Sequence, residues 1–406
     1  MRVHFVLLLG IIVGGNSPSM AQMSPVRFEK LQVTTEYLAE GCGYGDFDRD
    51  GSRDLVCGPF WFKGPDFKQR HKIYDGKAFP NDRGYSDNFF SYVADFDRDG
   101  WDDVLKVGLP GTPAYWFRNP RRKEGTWAKR LVFPIVDNEA PTFADIDRDG
   151  RRELLCTFEG RLGYLKPKPG KPDEEWTWTS ISDKGKWHKY SHGLGAGDVN
   201  GDGRVDFLMP EGWWAAPADD ADEWKANKQA FANGGAQIYV FDVDGDGDND
   251  VVSSQNAHAY GLKWFEQSTE DGVVQFKSHE IMPQQAIKAE SKAAGVSFSQ
   301  LHAIDCDDID GDGRTDIVAG KCYWAHNGSD PGARDPAVIY WFRNTKTEDG
   351  VKFVPHLIDD QSGVGRGINI VDMNGDGRKD VIVANKKGTF VFLQLPRTKQ
   401  DSGENR

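Results

Sequence analysis

One short pattern, Asp308-Ile-Asp310-Gly-Asp312-Gly-Arg-Thr-Asp316-Ile-Val, recurs seven times, and no other feature narrows the possible folds as much. Its relatives begin at Asp46, Asp95, Asp145, Asp198, Asp242 and Asp372, each reading D-x-[DN]-x-D-G-x-x-[DE] before two apolar residues. Oxygen donors at positions 1, 3, 5 and 9, a carbonyl at 7 and a glycine turn at 6 suit a hard cation of calcium size. The donors are Asp46, Asp48, Asp50 and Asp54 in the first loop, then Asp95, Asp97, Asp99 and Asp103. The third loop has Asp145, Asp147, Asp149 and Glu153; the fourth has Asp198, Asn200, Asp202 and Asp206. The fifth has Asp242, Asp244, Asp246 and Asp250, and the sixth Asp308, Asp310, Asp312 and Asp316. Asp372, Asn374, Asp376 and Asp380 complete the seventh. No loop has the bidentate glutamate that an EF-hand needs at position 12, and an apolar run follows each loop at once. The loops are therefore expected to be hairpin turns, holding up to seven structural Ca2+ ions.

Successive motifs are 49, 50, 53, 44, 66 and 64 residues apart, the signature of one array of similar units. Around each motif run short β-type segments. A strand such as Ile238–Phe241 enters the loop and an apolar strand leaves it. An aromatic strand such as Phe60-Trp61-Phe62 or Tyr115-Trp116-Phe117 follows, then a more polar one such as Phe276 to Ile281. Four strands per unit predict an all-β chain folded as a single seven-bladed propeller. The last unit lacks its fourth strand, and Phe28 to Val33 at the other end has the matching spacing. That N-terminal strand is expected to close the last blade and remove the exposed sheet edges.

The formal charge of −13 invites a search for a basic partner. Five loops hold four carboxylates at the donor positions and two hold three, so 26 of the 63 acidic groups lie there. Seven calcium ions would add +14 and nearly cancel the charge, and no basic stripe offers itself to nucleic acid. Phe5 to Val13 is apolar, and Ser19-Met20-Ala21 is a small-x-small cleavage pattern. This predicts a signal peptide over 1–21 with cleavage near Ala21, a propeller over 22–396 and a polar tail over 397–406. The apolar run is too short for a membrane span, so the expected location is secreted or periplasmic. Among five cysteines, Cys42 and Cys57 flank the first loop symmetrically and are placed to form a disulfide, Cys306 and Cys322 less symmetrically; Cys156 reads as a buried free thiol.

The repeated loop with four strands resembles the FG-GAP and VCBS-type repeat family, calcium-loaded β-propellers also seen in integrin heads. The resemblance spans roughly residues 27–395 and implies the fold rather than an activity. More weakly, the histidine- and tryptophan-rich loops resemble the propeller of aldos-2-ulose (anhydrofructose) dehydratases, whose cupin domains this chain lacks. That likeness implies a sugar-modifying lyase.

Residues six before each motif aspartate are expected to ring the channel mouth opposite the loops. They are Glu40, Phe89, Glu139, His192, Ala236, His302 and Arg366. His258, His326, Trp213, Trp214, Tyr260 and Trp324 fall in loops on the same face, with His188 and Tyr190 nearby; His71, His279 and His356 fall in outer strands facing solvent. Two histidines and a carboxylate suit either a further divalent metal at the mouth or a metal-free acid–base pair. For a β-elimination, His192 or His302 is the candidate base or metal ligand, with Glu139 in the same ring. Tyr190 or His326 is the candidate acid, His258 a neighbour in the site, Arg366 the enolate stabiliser, and Trp213 and Trp214 the sugar platform. The plain alternative is water-bound polar groups and indoles that plug gaps between blades. Two functions stay open: a carbohydrate lyase or dehydratase, and a non-catalytic propeller that binds a glycan or protein. What separates them is whether the histidines and glutamates converge on one pocket.

Overall fold

The computed structural model describes residues 26–397, apart from 122, 124, 220–221 and 288–294. The expected leader and its cleavage at Ala21, the centre of the 282–299 insertion and nearly all of the C-terminal tail lie outside the described residues. Strand pairing gives five sheets, of 4, 7, 8, 4 and 4 strands, built from antiparallel meanders that follow the repeats. The second and third repeats share the long strand Ala128–Ala144, and the fourth and fifth meet through the parallel pairs Leu194↔Gln237 and Gly195↔Ile238. The sixth shows the plan: Ala303–Asp307, Asp316–Gly320, Ile339–Thr347 and Gly350–Asp359 pair in chain order. Every motif loop is the turn between first and second strands. In all seven repeats the position-9 acid lies opposite the residue just before position 1, as in Gly45↔Asp54, Ala144↔Glu153 and Asp307↔Asp316.

Burial follows the pattern of residue types. Second strands such as Asp206–Met209 and Asp380–Asn385 are buried at every position, because sheets cover both their faces. The fourth strand Val273–Met282 is exposed or half-buried at every position before Met282, as an outer edge should be. The core lies between blades. One cluster packs Val318 and Trp341 of the sixth meander on Val381, Phe390 and Phe392 of the seventh. Another packs Leu55 and Phe62 of the first on Ile382 and Val391 of the seventh, so the ring is closed.

First strands from every meander line a central channel of about 1100 Å³ that opens among the motif loops, at Asp46, Asp95 and Asp145. Their glycines have a steric reason. A Cβ on Gly43 would lie 2.2 Å from Ser91 O, and one on Gly195 2.2 Å from Ile238 O, so no larger residue lets the inner strands approach this closely.

Three expectations change. Cys42 and Cys57 do face each other across the first hairpin, yet both are free thiols, and Cys57 Sγ accepts from Thr389 Oγ1 at 3.1 Å. Cys306 pairs with Ile317 instead of meeting Cys322, and Cys156 is buried and free as expected. His71, His279 and His356 are not merely solvent-facing. They stack on Trp61, Trp264 and Trp341 at 4.2, 4.3 and 4.5 Å, one outer histidine per aromatic third strand in three meanders.

The expected closure is present: Phe28–Thr34 pairs antiparallel with Gly388–Gln394, with Leu31 opposite Val391. Deleting residues 27–33 should strip the outer edge of the last blade and lead to aggregation or loss of cooperative melting. Size-exclusion chromatography and calorimetry check this, and a truncated monomer with the parent melting profile would refute it.

Candidate functional site

The motif loops are built by carboxylates that bind backbone. Asp46 accepts from Asp50 N (3.1 Å) and Gly51 N (3.0 Å), and the other loops repeat this with small departures. The position-9 acids Asp54, Asp103, Asp206, Asp250, Asp316 and Asp380 are fully buried, and each uses both oxygens as a brace. In the first loop, Phe47 N donates to Asp54 Oδ2 (2.9 Å) and Gly64 N to Oδ1 (2.8 Å); the other five repeat the pair. Each carboxylate thus ties its loop to its third strand, with one lone pair per oxygen left for a cation.

The third loop differs. Position 2 still donates to Glu153 Oε2 (3.0 Å), but the third-strand residue is Pro167, which has no N–H. Glu153 Oε1 and Asp145 Oδ1 are buried without partners. Basic side chains also enter the loops unevenly. Lys63 reaches Asp48 and Asp50, Lys166 reaches Asp147 and Asp149, and Arg343 reaches Asp310. The fifth loop has Asp248 and Glu266 at the corresponding places; Lys277 pairs with Glu266 (3.0 Å), and Lys346 Nζ donates to the Asp244 carbonyl (2.9 Å).

On the other face the expected ring forms. Arg366 N donates to Glu40 O (2.6 Å), Glu40 N to Asn88 O (2.9 Å) and Glu139 N to Ser191 O (2.8 Å). Gln237 Nε2 donates to Arg366 O (3.1 Å) and helps shut this mouth. His192 and His302 stand in the ring with imidazole centroids 5.6 Å apart. His258, from the second-to-third-strand loop of the fifth meander, sits 4.7 Å from His192 and 4.8 Å from His302. His326 stacks on His258 at 4.4 Å. Asp330 joins the outer pair: His326 Nδ1 lies 3.0 Å from its Oδ1, and His258 Nδ1 3.3 Å from its Oδ2. Gln300 Nε2 donates to the same carboxylate at 3.2 Å. Burial, then the neighbouring His192 and His326, push the His258 pKa down to about 4, so it is a neutral imidazole at pH 7.

Backbone strain concentrates here. Gln300, Trp324, His326 and Asn327 all adopt left-handed φ between 47° and 64° without being glycine. Such conformations cost roughly 1–3 kcal/mol each and persist where surrounding contacts enforce them.

The sequence expectations divide. His192, His302, His258, His326, Glu139 and Arg366 converge. Tyr190 does not: it is exposed, Lys189 Nζ lies over its ring, and its backbone N–H donates to His188 Nδ1. Trp213 and Trp214 are no platform either. Both are buried, Trp213 against Leu208 and Phe231 and Trp214 in edge contact with Trp187. The half-buried indole beside His326 is Trp324, whose Nε1 donates to Asp82 O. Asp330 and Tyr85, whose hydroxyl accepts from His326 N (3.0 Å), escaped sequence reasoning. Asp330 lies in the 325–336 insertion, and nothing local marks it among so many acids.

Residues 95–156 and 308–383 match the FG-GAP-like repeat family, both segments starting on a motif aspartate. No curated protein sequence matches the chain significantly. BBS1N, solved in complex with ARL6DN, is similar over 93% of this chain and 98% of its own, with TM-score 0.51 and 12% identity. A lectin of Agrocybe aegerita that recognises non-reducing terminal N-acetylglucosamine shares 16% identity over 88% and 90% of the two chains, TM-score 0.49. Rhamnogalacturonan lyase YesW shares 14% over 90% and 75%, TM-score 0.46. No helix among the described residues is long and apolar enough to cross a membrane.

Beneath the histidines lies a buried charge cluster. Arg366, 1% exposed, places Nη1 3.2 Å from Glu139 Oε2, and the same oxygen is 3.3 Å from His192 Nε2. Burial would raise the Glu139 carboxyl, but the charge of Arg366 and contact with His192 outweigh it and hold the pKa at about 2. Glu40, bonded by the Tyr37 hydroxyl, stays raised because its burial exceeds the help from Arg366. Arg366→Met should therefore lower stability by about 3 kcal/mol at neutral pH, because two buried carboxylates lose their counter-charge. Their folded pKa values would then lie above the unfolded ones, a penalty absent in acid that grows as pH rises. The deficit should shrink on going from pH ~8 to ~5. Thermal melts across that range test it; a deficit independent of pH would count against this account.

Proposed function

As a β-propeller carrying FG-GAP-like repeats, the chain is a rigid scaffold with two unlike faces, and we propose that the histidine-bearing face is a carbohydrate lyase site. The reaction class is β-elimination: loss of an oxygen substituent from a sugar whose neighbouring carbon is acidified by a carbonyl or carboxylate. Such a reaction needs a base for that proton, an acid for the departing oxygen and a positive group near the developing enolate. The carrying observation is Asp330, whose two oxygens hold the Nδ1 atoms of His258 and His326. That arrangement leaves Nε2 of His326, the most exposed of the four imidazoles, as the proton-transfer atom toward the leaving oxygen. His192, steadied by Glu139, is the base, and Trp324 offers the apolar ring on which a sugar would stack. The test is a screen against keto-sugars and uronate-containing glycans for the absorbance of a new unsaturated product. His326→Ala should melt like the parent and lose roughly a hundredfold to ten-thousandfold in rate. A parent that binds a glycan without turning it over, or a variant at the parent rate, would move the protein to the non-catalytic binding class.

The motif loops serve a separate, structural purpose: they hold calcium. Their donors are all oxygen, and the unpartnered Glu153 Oε1 and Asp145 Oδ1 of the third loop fit an ion best. Chelation should lower the melting temperature, since an ion that binds only the folded state stabilises it. In the chelated protein the position-9 acids are raised by burial and by neighbouring loop aspartates, Asp54 to about 7 and Asp103 to about 8. The unfolded value is about 3.9. A raised folded pKa favours folding in acid and loses that advantage as pH rises, so chelated protein should melt higher near pH ~5 than near ~8. An unchanged melting temperature after metal analysis confirms calcium removal would end this reading.

A further inference from the structure

His192, His258 and His302 each offer a ring nitrogen, and these three atoms lie within 4.8 Å of one another. Elsewhere, buried histidines in proteins are tied down at one nitrogen or both. His302 is 2% exposed and neither of its nitrogens has a hydrogen-bond partner. His192 Nε2 is likewise buried and faces Glu139 Oε2 at 3.3 Å. Leaving a buried polar atom unpaired costs about 1–3 kcal/mol, so the bare His302 imidazole, 5.6 Å from that of His192, needs a reason.

We propose that His192, His258 and His302 form a three-histidine centre for one borderline transition-metal ion such as Zn2+, Fe2+ or Mn2+, distinct in chemistry from the calcium loops. Three imidazole nitrogens without thiolate suit such an ion and suit the hard, oxygen-seeking Ca2+ poorly. Asp330 behind His258 and Glu139 behind His192 supply the carboxylates that commonly orient metal-bound imidazoles. Three protein ligands leave coordination positions open, and the side chain of His258, 30% exposed, puts that opening toward solvent. The sequence alone allowed two histidines and a carboxylate. Geometry makes the third member His258, from a different loop.

An ion held here would make His192 a ligand and take it out of the role of free base, so the centre is read by metal content and fails or stands separately from turnover. The probe is Co2+ or Zn2+ added to chelated full-length protein in excess Ca2+, which keeps the oxygen loops filled. One equivalent should bind per chain, and Co2+ should give the visible absorption of a nitrogen-ligated, low-symmetry site. His258→Ala, a loop change with little cost to the fold, should weaken Zn2+ binding at least tenfold with calcium content unchanged. His326→Ala should retain the ion. Failure to bind one equivalent, or equal binding by parent, His258→Ala and His192→Ala, overturns the proposal.

Discussion

A buried carboxylate that accepts two backbone N–H groups holds six of the seven repeats together. Asp54, Asp103, Asp206, Asp250, Asp316 and Asp380 each fasten the start of a motif loop to the end of the third strand. Without the brace, those N–H groups would be buried and unpaired. It also sets blade-to-blade contact, because the residue that donates to it often reaches the preceding loop. Asn119 Nδ2 donates to Phe47 O, Asn344 Nδ2 to Val243 O and Gln394 Nε2 to Ile309 O, all across a blade boundary. One acid per repeat therefore shapes its own hairpin and fixes its neighbour.

That brace explains why the two faces differ. The motif face is bound to repeat, since each loop must present the same acid at the same place. The opposite face carries no such requirement, so the residues six before each motif vary from Phe89 and Ala236 to Glu139, His302 and Arg366. Variation at equivalent positions of a rigid ring is how a symmetric scaffold acquires an asymmetric site. The insertion that brings His326 and Asp330 over the ring enters from this side, and the strained backbone at Trp324, His326 and Asn327 lies within or beside it.

Arg366 links the layers of that site. It is buried against the rings of Tyr85 and Phe89 while its charge faces Glu139 and Glu40. Its guanidinium is too deep to meet a substrate directly. It keeps Glu139 ionised beneath His192, and so supports the histidines from behind instead of contacting a reacting atom.

The repeated motif determined by itself the all-β class, the hairpin role of each loop, the four-strand unit and the return of Phe28–Thr34 to the last blade. These follow from local spacing and residue type, which a sequence displays directly. The same counting placed His192, His302, Glu139 and Arg366 in one ring, because equivalent repeat positions share a height in the channel. Only the tertiary structure decided the rest. Trp213 and Trp214 became core because they face opposite sides of a blade covered on both, Trp213 by Ile238 and Phe265 of the fifth meander and Trp214 by Leu155 and Leu162 of the third. Tyr190 turned outward, and Asp330 joined His258 to His326 across 72 and 4 residues of chain. Pro167 left Glu153 half-unpartnered through the absence of one N–H on a neighbouring strand. Contacts of that kind depend on side-chain direction and on which loops meet, and neither is encoded in the spacing of a repeat.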